Sequence, residues 1–328
     1  FNRKRIWLGI NCIKNEDNFS KTMRVLIAAG IYPPDIGGPA VHVKKLAEEL
    51  AKRGVAVRVI TYGQPIERDV MSVSRRIPRV LRHFLYFMKC FSASLNSDIV
   101  YAQDAAAAGL PAFLAAKLLG KIFLIRIGGD IVWERAAEKG QRFVAVSEYY
   151  SNNFHLVDRP ILFRVVKFVL RRARAIIVPA DILRDIYINF YSLDKDKIFI
   201  IRNPCETVSD LRDVDGGVDF RGKRGDFIIL FAGRFVAYKN LEFLIKVFVK
   251  LRNKMGFGKL LLIGDGPERG KICELLEKLD AKNYVEIHEP TEHLKLLKKI
   301  RQVSICIGPA LTEFNPNFIL ECLALGKP

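Results

Sequence analysis

Apolar positions along the 328-residue chain switch repeatedly between a strand pattern and a helix pattern. Arg24 to Ala29 (RVLIAA) is a short apolar, β-branched run, the signature of a strand buried in a parallel sheet. A Gly/Pro loop follows from Gly30 to Pro39. Val41 to Arg53 then has helical spacing and ends at Gly54, a suitable C-cap. Val55 to Thr61 (VAVRVIT) is the next expected strand. A strand–helix–strand unit of this kind predicts parallel pairing through a right-handed crossover. The same reading gives helices over Arg79 to Leu95, Leu110 to Leu119 and Phe163 to Arg174. It gives strands over Asp98 to Ala102, Phe123 to Ile127, Val144 to Val146, Ala175 to Val178 and Ile198 to Ile201.

The polar, glycine-rich stretch Asn203 to Gly225 reads as a linker, after which the alternation restarts. Strands are expected over Phe227 to Phe231, Lys259 to Ile263, Tyr284 to Ile287 and Val303 to Ile307. Helices are expected over Leu241 to Met255, Pro267 to Leu279, Thr291 to Ile300 and Pro316 to Leu325. The simplest architecture is α/β, with two tandem Rossmann-like, doubly wound domains. The expected division is a tail or upstream extension over 1–22, an N-terminal domain over 23–202, a linker over 203–225 and a C-terminal domain over 226–328. Met23 reads as the true start. The sequence stops where a further strand is expected, so the second domain is read as an incomplete one.

Composition narrows the class. Half of the residues are hydrophobic, enough for two cores. No apolar run is long enough to cross a bilayer, and Ile6 to Ile10 is cut short by Asn11 and Lys14, unlike a signal peptide. The cysteines Cys12, Cys90, Cys205, Cys273, Cys306 and Cys322 are scattered without a Cys-x-x-Cys pair. That pattern argues against a disulfide framework or zinc site and for a cytoplasmic location. His42, His83, His155, His288 and His293 form no metal-ligand spacing, so no metal is expected. The net charge of +18 predicts an acidic partner: nucleic acid, anionic lipid or a phosphorylated substrate. No RNA-recognition motif or basic zipper is present, which argues against nucleic acid. Arg75, Arg76, Arg79, Arg82 and Lys89 concentrate charge in one acid-free segment, and Arg159, Arg164, Lys167, Arg171, Arg172 and Arg174 in another. The first alternates with Leu81, Phe84, Leu85, Phe87 and Met88. This suits a helix lying on an anionic membrane, or an ordinary amphipathic helix packed on its own domain.

Four motifs follow strands. Gly37-Gly38-Pro39 lets the backbone approach a phosphate at a helix N-terminus, although a tight turn explains it as well. It does not match Gly-x-Gly-x-x-Gly, which argues against a dinucleotide-binding oxidoreductase. Arg234 and Lys239 lie after the first strand of the second half, where ligands of open α/β sheets bind; two solvated surface charges would look the same. Gly264-Asp265-Gly266-Pro267 opens another turn. Finally, Glu313 and Glu321 flank an expected helix start, with Asn315 as N-cap and Pro316 as first helical residue. Two carboxylates and free backbone N–H groups suit sugar or ribose hydroxyls and a phosphate. Glu321 stands among Leu320, Cys322 and Leu323, so it needs a partner.

In this order the four motifs resemble the retaining GT-B glycosyltransferases of the large glycosyltransferase family 4. The matching strings are RVLIAAGIYPPDIGGPAVHVKKLAEELAKRG, FAGRFVAYKNLEFLI, LLIGDGPERGKICELL and TEFNPNFILECLALGKP. The resemblance implies sugar transfer from a nucleotide-sugar donor to a hydroxyl of a glycan or lipid-linked acceptor, with retention. The sugar nucleotide is a co-substrate, and no cofactor is expected. It implies that Arg234 and Lys239 hold the donor diphosphate, Glu313 the donor sugar and Glu321 the ribose. Gly37, Gly38 and Gly264 would lie by the donor, and backbone N–H groups from Asn315 through Asn317 to Phe318 would complete the phosphate site. Gln103 stands where the family often has His, and Asp130 resembles a position near the cleft. Lipid-linked acceptors are common in the family, which adds peripheral contact with the inner face of the cell membrane. A sugar-nucleotide epimerase of the same architecture and a non-catalytic basic binding protein are the rival readings.

Overall fold

The computed structural model describes residues 22–35, 37–65, 67, 69–140, 142–204 and 227–328. The expected tail and most of the expected linker lie outside these residues, as do Cys12 and Cys205. The first part of the chain runs β1 (Arg24–Ala28), α1 (Gly38–Lys52), β2 (Ala56–Tyr62), β3 (Val70–Val73), α2 (Arg79–Leu95), β4 (Ile99–Ala102), α3 (Gly109–Leu118) and β5 (Ile122–Arg126). It continues through α4 (Ile131–Glu138), α5 (Val146–Ser151), α6 (His155–Asp158) and α7 (Pro160–Arg172) to β6 (Ala175–Val178), α8 (Asp181–Asn189) and β7 (Ile198–Ile200). The second part is β8 (Ile228–Ala232), α9 (Leu241–Met255), β9 (Lys259–Ile263), α10 (Arg269–Lys278), β10 (Val285–His288), α11 (His293–Arg301), β11 (Ile305–Cys306) and α12 (Asn317–Ala324).

The strands form two parallel sheets, a 7-stranded one of order β3-β2-β1-β4-β5-β6-β7 and a 4-stranded one of order β10-β9-β8-β11. Strands of the first sheet are buried on both faces. Leu26, Ala28, Ile60, Val100 and Ile125 pack with Tyr86 and Cys90 of α2 and Ala112 and Phe113 of α3. Val25, Ile27, Ala29, Val59 and Tyr101 point the other way, towards Val43 of α1. In the second sheet Ile229 and Phe231 meet α9 and α10, while Leu230 and Ala232 meet Leu297 and Ile300 of α11 and Cys322 of α12. Alternate strand residues thus serve opposite cores, which is why these runs are apolar throughout.

Strand order reverses between β1 and β4 in one sheet, and between β8 and β11 in the other. Open α/β sheets bind ligands at such switch points, beyond the carboxyl ends of the strands. The loops that leave β1, β4, β8 and β11 carry Gly37, Gln103, Arg234 and Glu313.

The strand expected over Val144 to Val146 is not formed. Val146 instead starts α5, and the Val144 carbonyl accepts a hydrogen bond from Trp133 Nε1 at 2.8 Å. The place beside β5 is taken by β6. The short strand β3 and the helices α4, α5, α6 and α8 had no counterpart in the pattern. Each is short or crossed by aromatic and polar residues, so its period is weak. Among the described residues Cys90, Cys273, Cys306 and Cys322 are free, and no helix is long and apolar enough to cross a membrane.

Candidate active site

The two switch points face each other through direct contacts. Asn203, three residues beyond β7, donates from Nδ2 to the Asn315 carbonyl and to Asn317 Oδ1, both at 2.8 Å. Its Oδ1 accepts from Arg126 at the end of β5. Gly38 lies against Asn317: a Cβ at Gly38 would come 3.0 Å from Asn317 Nδ2. Val146 N donates to Thr312 Oγ1 at 3.1 Å, and Phe314 packs edge-on against Trp133, with ring centroids 6.1 Å apart. The loop before α12 is therefore lined by the first domain along its length.

On the second-domain side, Lys239 ends a 3-10 turn after β8, and its Nζ pairs with Glu313 Oε1. Arg234 is more open, its side chain 58% exposed, with Nη2 3.8 Å from Glu138 Oε1 of α4. Pro316, not Asn315, occupies the N-cap of α12, and the helix starts at Asn317. The correction has a physical cause. Asn315 has φ 114°, a left-handed conformation in which it cannot lead into a helix as a normal cap does. The first-turn N–H groups of α12, including those of Asn317 and Phe318, lack partners within the helix. They sit at the positive end of its dipole.

Glu321 lies one turn into α12, and the partner that its apolar neighbours demanded is His293 at the start of α11: Nε2 lies 3.0 Å from Glu321 Oε1. Phe318 packs against Phe231. Gly264 stands where two loops meet closely. A Cβ there would fall 1.9 Å from the Gly233 carbonyl oxygen, so the glycine lets the two loops after β8 and β9 touch.

On the first-domain side, Gly37 occupies the N-cap of α1 with φ 152°. Gln103 follows β4 and is 8% exposed; its amide adjoins the Tyr101 hydroxyl without a hydrogen bond of normal geometry. Asp130 is turned inwards. It caps α4 by accepting from Trp133 N at 2.8 Å and also accepts from Tyr150 Oη at 2.9 Å. Burial pushes its carboxyl up to about 6 against these bonds.

Glu134 was missed by sequence reasoning. Its Oε1 lies 2.1 Å from where a Cβ of Gly129 would stand, beside Phe314, so the missing side chain makes room for the carboxylate. Burial first, then the charges of Asp130 and Glu138, push it up to about 7, while Arg234 and Lys239 pull it down. The usable signal was a glycine pair followed five residues later by an acid. Among the described residues no cluster of three or more His, Cys, Asp or Glu could hold a metal ion.

Two exposed or half-buried cations, a helix N-terminus and flanking carboxylates thus converge beside a glycine loop from the other domain. Residues 36–208 match the family model Glycosyltransferase Family 4. That match spans more than half of the chain. The chain belongs to Glycosyltransferase Family 4. Residues 226–328 of this glycosyltransferase match a second model, Glycosyl transferases group 1. A glycosyltransferase of Methanocaldococcus jannaschii is 23% identical over 328 residues, covering 93% of this chain and 79% of the relative. Solved structures share the fold. Sucrose-phosphate synthase of Thermosynechococcus elongatus has TM-score 0.68 at 17% identity, covering 94% of this chain and 80% of that one. Anabaena HepE, in complex with UDP and glucose, has TM-score 0.68 at 15% identity, covering 93% and 79%. The two-domain architecture is thus that of GT-B glycosyltransferases.

Proposed function

We propose that this glycosyltransferase moves a sugar from a nucleoside diphosphate sugar to a hydroxyl of a glycan or lipid-linked acceptor, with retention of anomeric configuration. The observation that carries the reading is the convergence of Arg234, Lys239 and the first turn of α12 at the switch point of the second sheet. Negative charge builds on the leaving diphosphate in the transition state. Preorganised cations and N–H groups stabilise that charge without reorganising. In this reading Arg234, Lys239 and the N–H groups from Asn317 onwards hold the diphosphate. Glu313 takes sugar hydroxyls and orients Lys239. Glu321, held by His293, takes the ribose. Gly37 and Gly38 admit the diphosphate from the other side, and Gly264 keeps the adjoining loop in place. The domain over 23–202 takes the acceptor, that over 226–328 the donor, and the stretch 203–225 joins them. HepE, of the same fold, has a structure with UDP and glucose, which makes UDP-glucose the first donor to try. The test is release of the matching nucleoside diphosphate from UDP-, GDP- and ADP-sugars, with the product anomer read by NMR. An inverted product contradicts retention, and no turnover with any donor and a mixed hydroxyl acceptor pool contradicts transfer.

A specific surface supports peripheral contact with an anionic membrane. On α2, Val80, Leu81, Phe84 and Met88 are exposed beside Arg79, Arg82 and Lys89, whereas Leu85 and Phe87 pack inwards. Phe84 and Phe87 join Leu110 and Leu114 of α3 around an apolar hollow of about 290 Å³. An apolar row flanked by cations suits the headgroup boundary. Flotation with vesicles of anionic lipid tests this; binding that is absent at low salt contradicts it.

A further inference from the structure

The face of the first sheet beneath α1 ends in polar groups that the proposed donor chemistry does not use. In the register of β1, β4 and β5, Ile27 faces Tyr101, and Tyr101 faces Leu124. Two residues on, Gln103 and Arg126 are neighbours on the same face, at the carboxyl edge where ligands bind. Arg126 is only 5% exposed. It has no carboxylate partner among the described residues. Its hydrogen bond goes to the neutral amide of Asn203. Burial pulls the guanidinium pKa down, and only Tyr101 opposes this. The buried amide of Gln103 adjoins the Tyr101 hydroxyl without a hydrogen bond of normal geometry, and Nε2 of His42, on the first turns of α1, is buried with no partner. His42 feels the Arg126 charge. A buried cation is costly to desolvate unless an anion or a full set of acceptors compensates it. Two under-bonded side chains beside one such cation describe an anion site.

We propose that Arg126, Gln103 and His42 form a second anion subsite, which seats an oxyanion of the acceptor, a phosphate or carboxylate. Arg126 supplies charge, and the Gln103 amide and the His42 ring supply hydrogen bonds. Asn203 stands between this subsite and the α12 N-terminus, bonded to both. The acceptor rather than the donor is the occupant, because all three side chains belong to the first domain. The donor diphosphate already has Arg234, Lys239 and α12 in the second. This inference rests on the donor assignment above, and the test separates the two.

The test is titration of inorganic phosphate, and separately acetate, onto the protein with and without saturating UDP, followed by calorimetry. Parallel titrations use Arg126→Gln, Gln103→Leu and Arg234→Ala. The expected result is one site for at least one oxyanion that persists when UDP is bound. Arg126→Gln abolishes it, and Gln103→Leu, which keeps the cation, weakens it about tenfold, the loss of one charge-assisted hydrogen bond. UDP affinity changes less than about threefold in both, whereas Arg234→Ala loses it. Binding of neither oxyanion, displacement of the oxyanion by UDP, or loss of UDP binding in Arg126→Gln equal to that in Arg234→Ala overturns the subsite. Absence of UDP binding in the wild type counts against the donor assignment alone, since the oxyanion titration without UDP still reads Arg126.

Discussion

Asn203 donates its side-chain amide to the main-chain carbonyl of Asn315 at 2.8 Å, across the boundary between the two sheets. The acceptor of that bond is a residue with φ 114°. A non-glycine residue costs about 1–3 kcal/mol in such a conformation. The bond and the strain therefore sit together at the entrance to α12. Asn203→Ala removes the donor to Asn315 and the acceptor for Arg126 at once. It is expected to cost about 1–3 kcal/mol in denaturant unfolding. An unchanged midpoint contradicts the linking role.

Asn315→Gly relieves the left-handed strain and is expected to keep or raise the melting temperature. Asn315→Val is expected to cost about 1–3 kcal/mol. Thermal unfolding of the two variants side by side reads the sign directly.

Most of the strand and helix alternation was legible because buried parallel strands are apolar on both faces and helices end at glycines. The neighbourhood of two candidate residues was legible where it is local in sequence, as with Glu313 and Glu321 on either side of the start of α12. Its long-range part was not. The bond from Asn203 to Asn315 spans 112 residues, and no period or spacing announces it. The same holds for His293 opposite Glu321 and for Glu134 filling the space above Gly129. The cap of α12 was misplaced by one residue because asparagine favours both caps and left-handed backbone, and the second preference prevailed.

Gly264 is predicted to be intolerant of any side chain. An added Cβ would meet the Gly233 carbonyl oxygen at 1.9 Å, and backbone cannot yield cheaply. Gly264→Ala is expected to lose on the order of 3 kcal/mol or more. Calorimetric unfolding near the wild-type temperature would contradict the packing role.

Glu134 sets a pH dependence of stability. Its carboxyl is raised from 4.5 to about 7, so the folded state holds a proton that the unfolded state releases. The resulting stability is fully present below pH 4.5 and is lost as pH rises through 7. Glu134→Gln is expected to flatten that fall, with a gain on the order of 2 kcal/mol at pH 8 relative to wild type. Stability curves of the two proteins from pH 5 to 8 check it; parallel curves contradict a raised carboxyl.

Arg234 is predicted to act on turnover more than on folding, since its side chain is 58% exposed. Arg234→Ala is expected to slow sugar transfer by roughly 10²- to 10³-fold, about 3–4 kcal/mol of transition-state stabilisation. Its melting temperature should stay near that of wild type. Undiminished turnover contradicts its assignment to the diphosphate.

The most direct measurement of the donor site is a thermal-shift panel of UDP, GDP, ADP and their common sugar conjugates, with Glu321→Ala alongside. Stabilisation by one nucleotide and its conjugates is expected, about 3 kcal/mol at a hundredfold excess over Kd, largely lost in the variant. Equal stabilisation of wild type and Glu321→Ala, or none by any nucleotide in a well-folded protein, would contradict it.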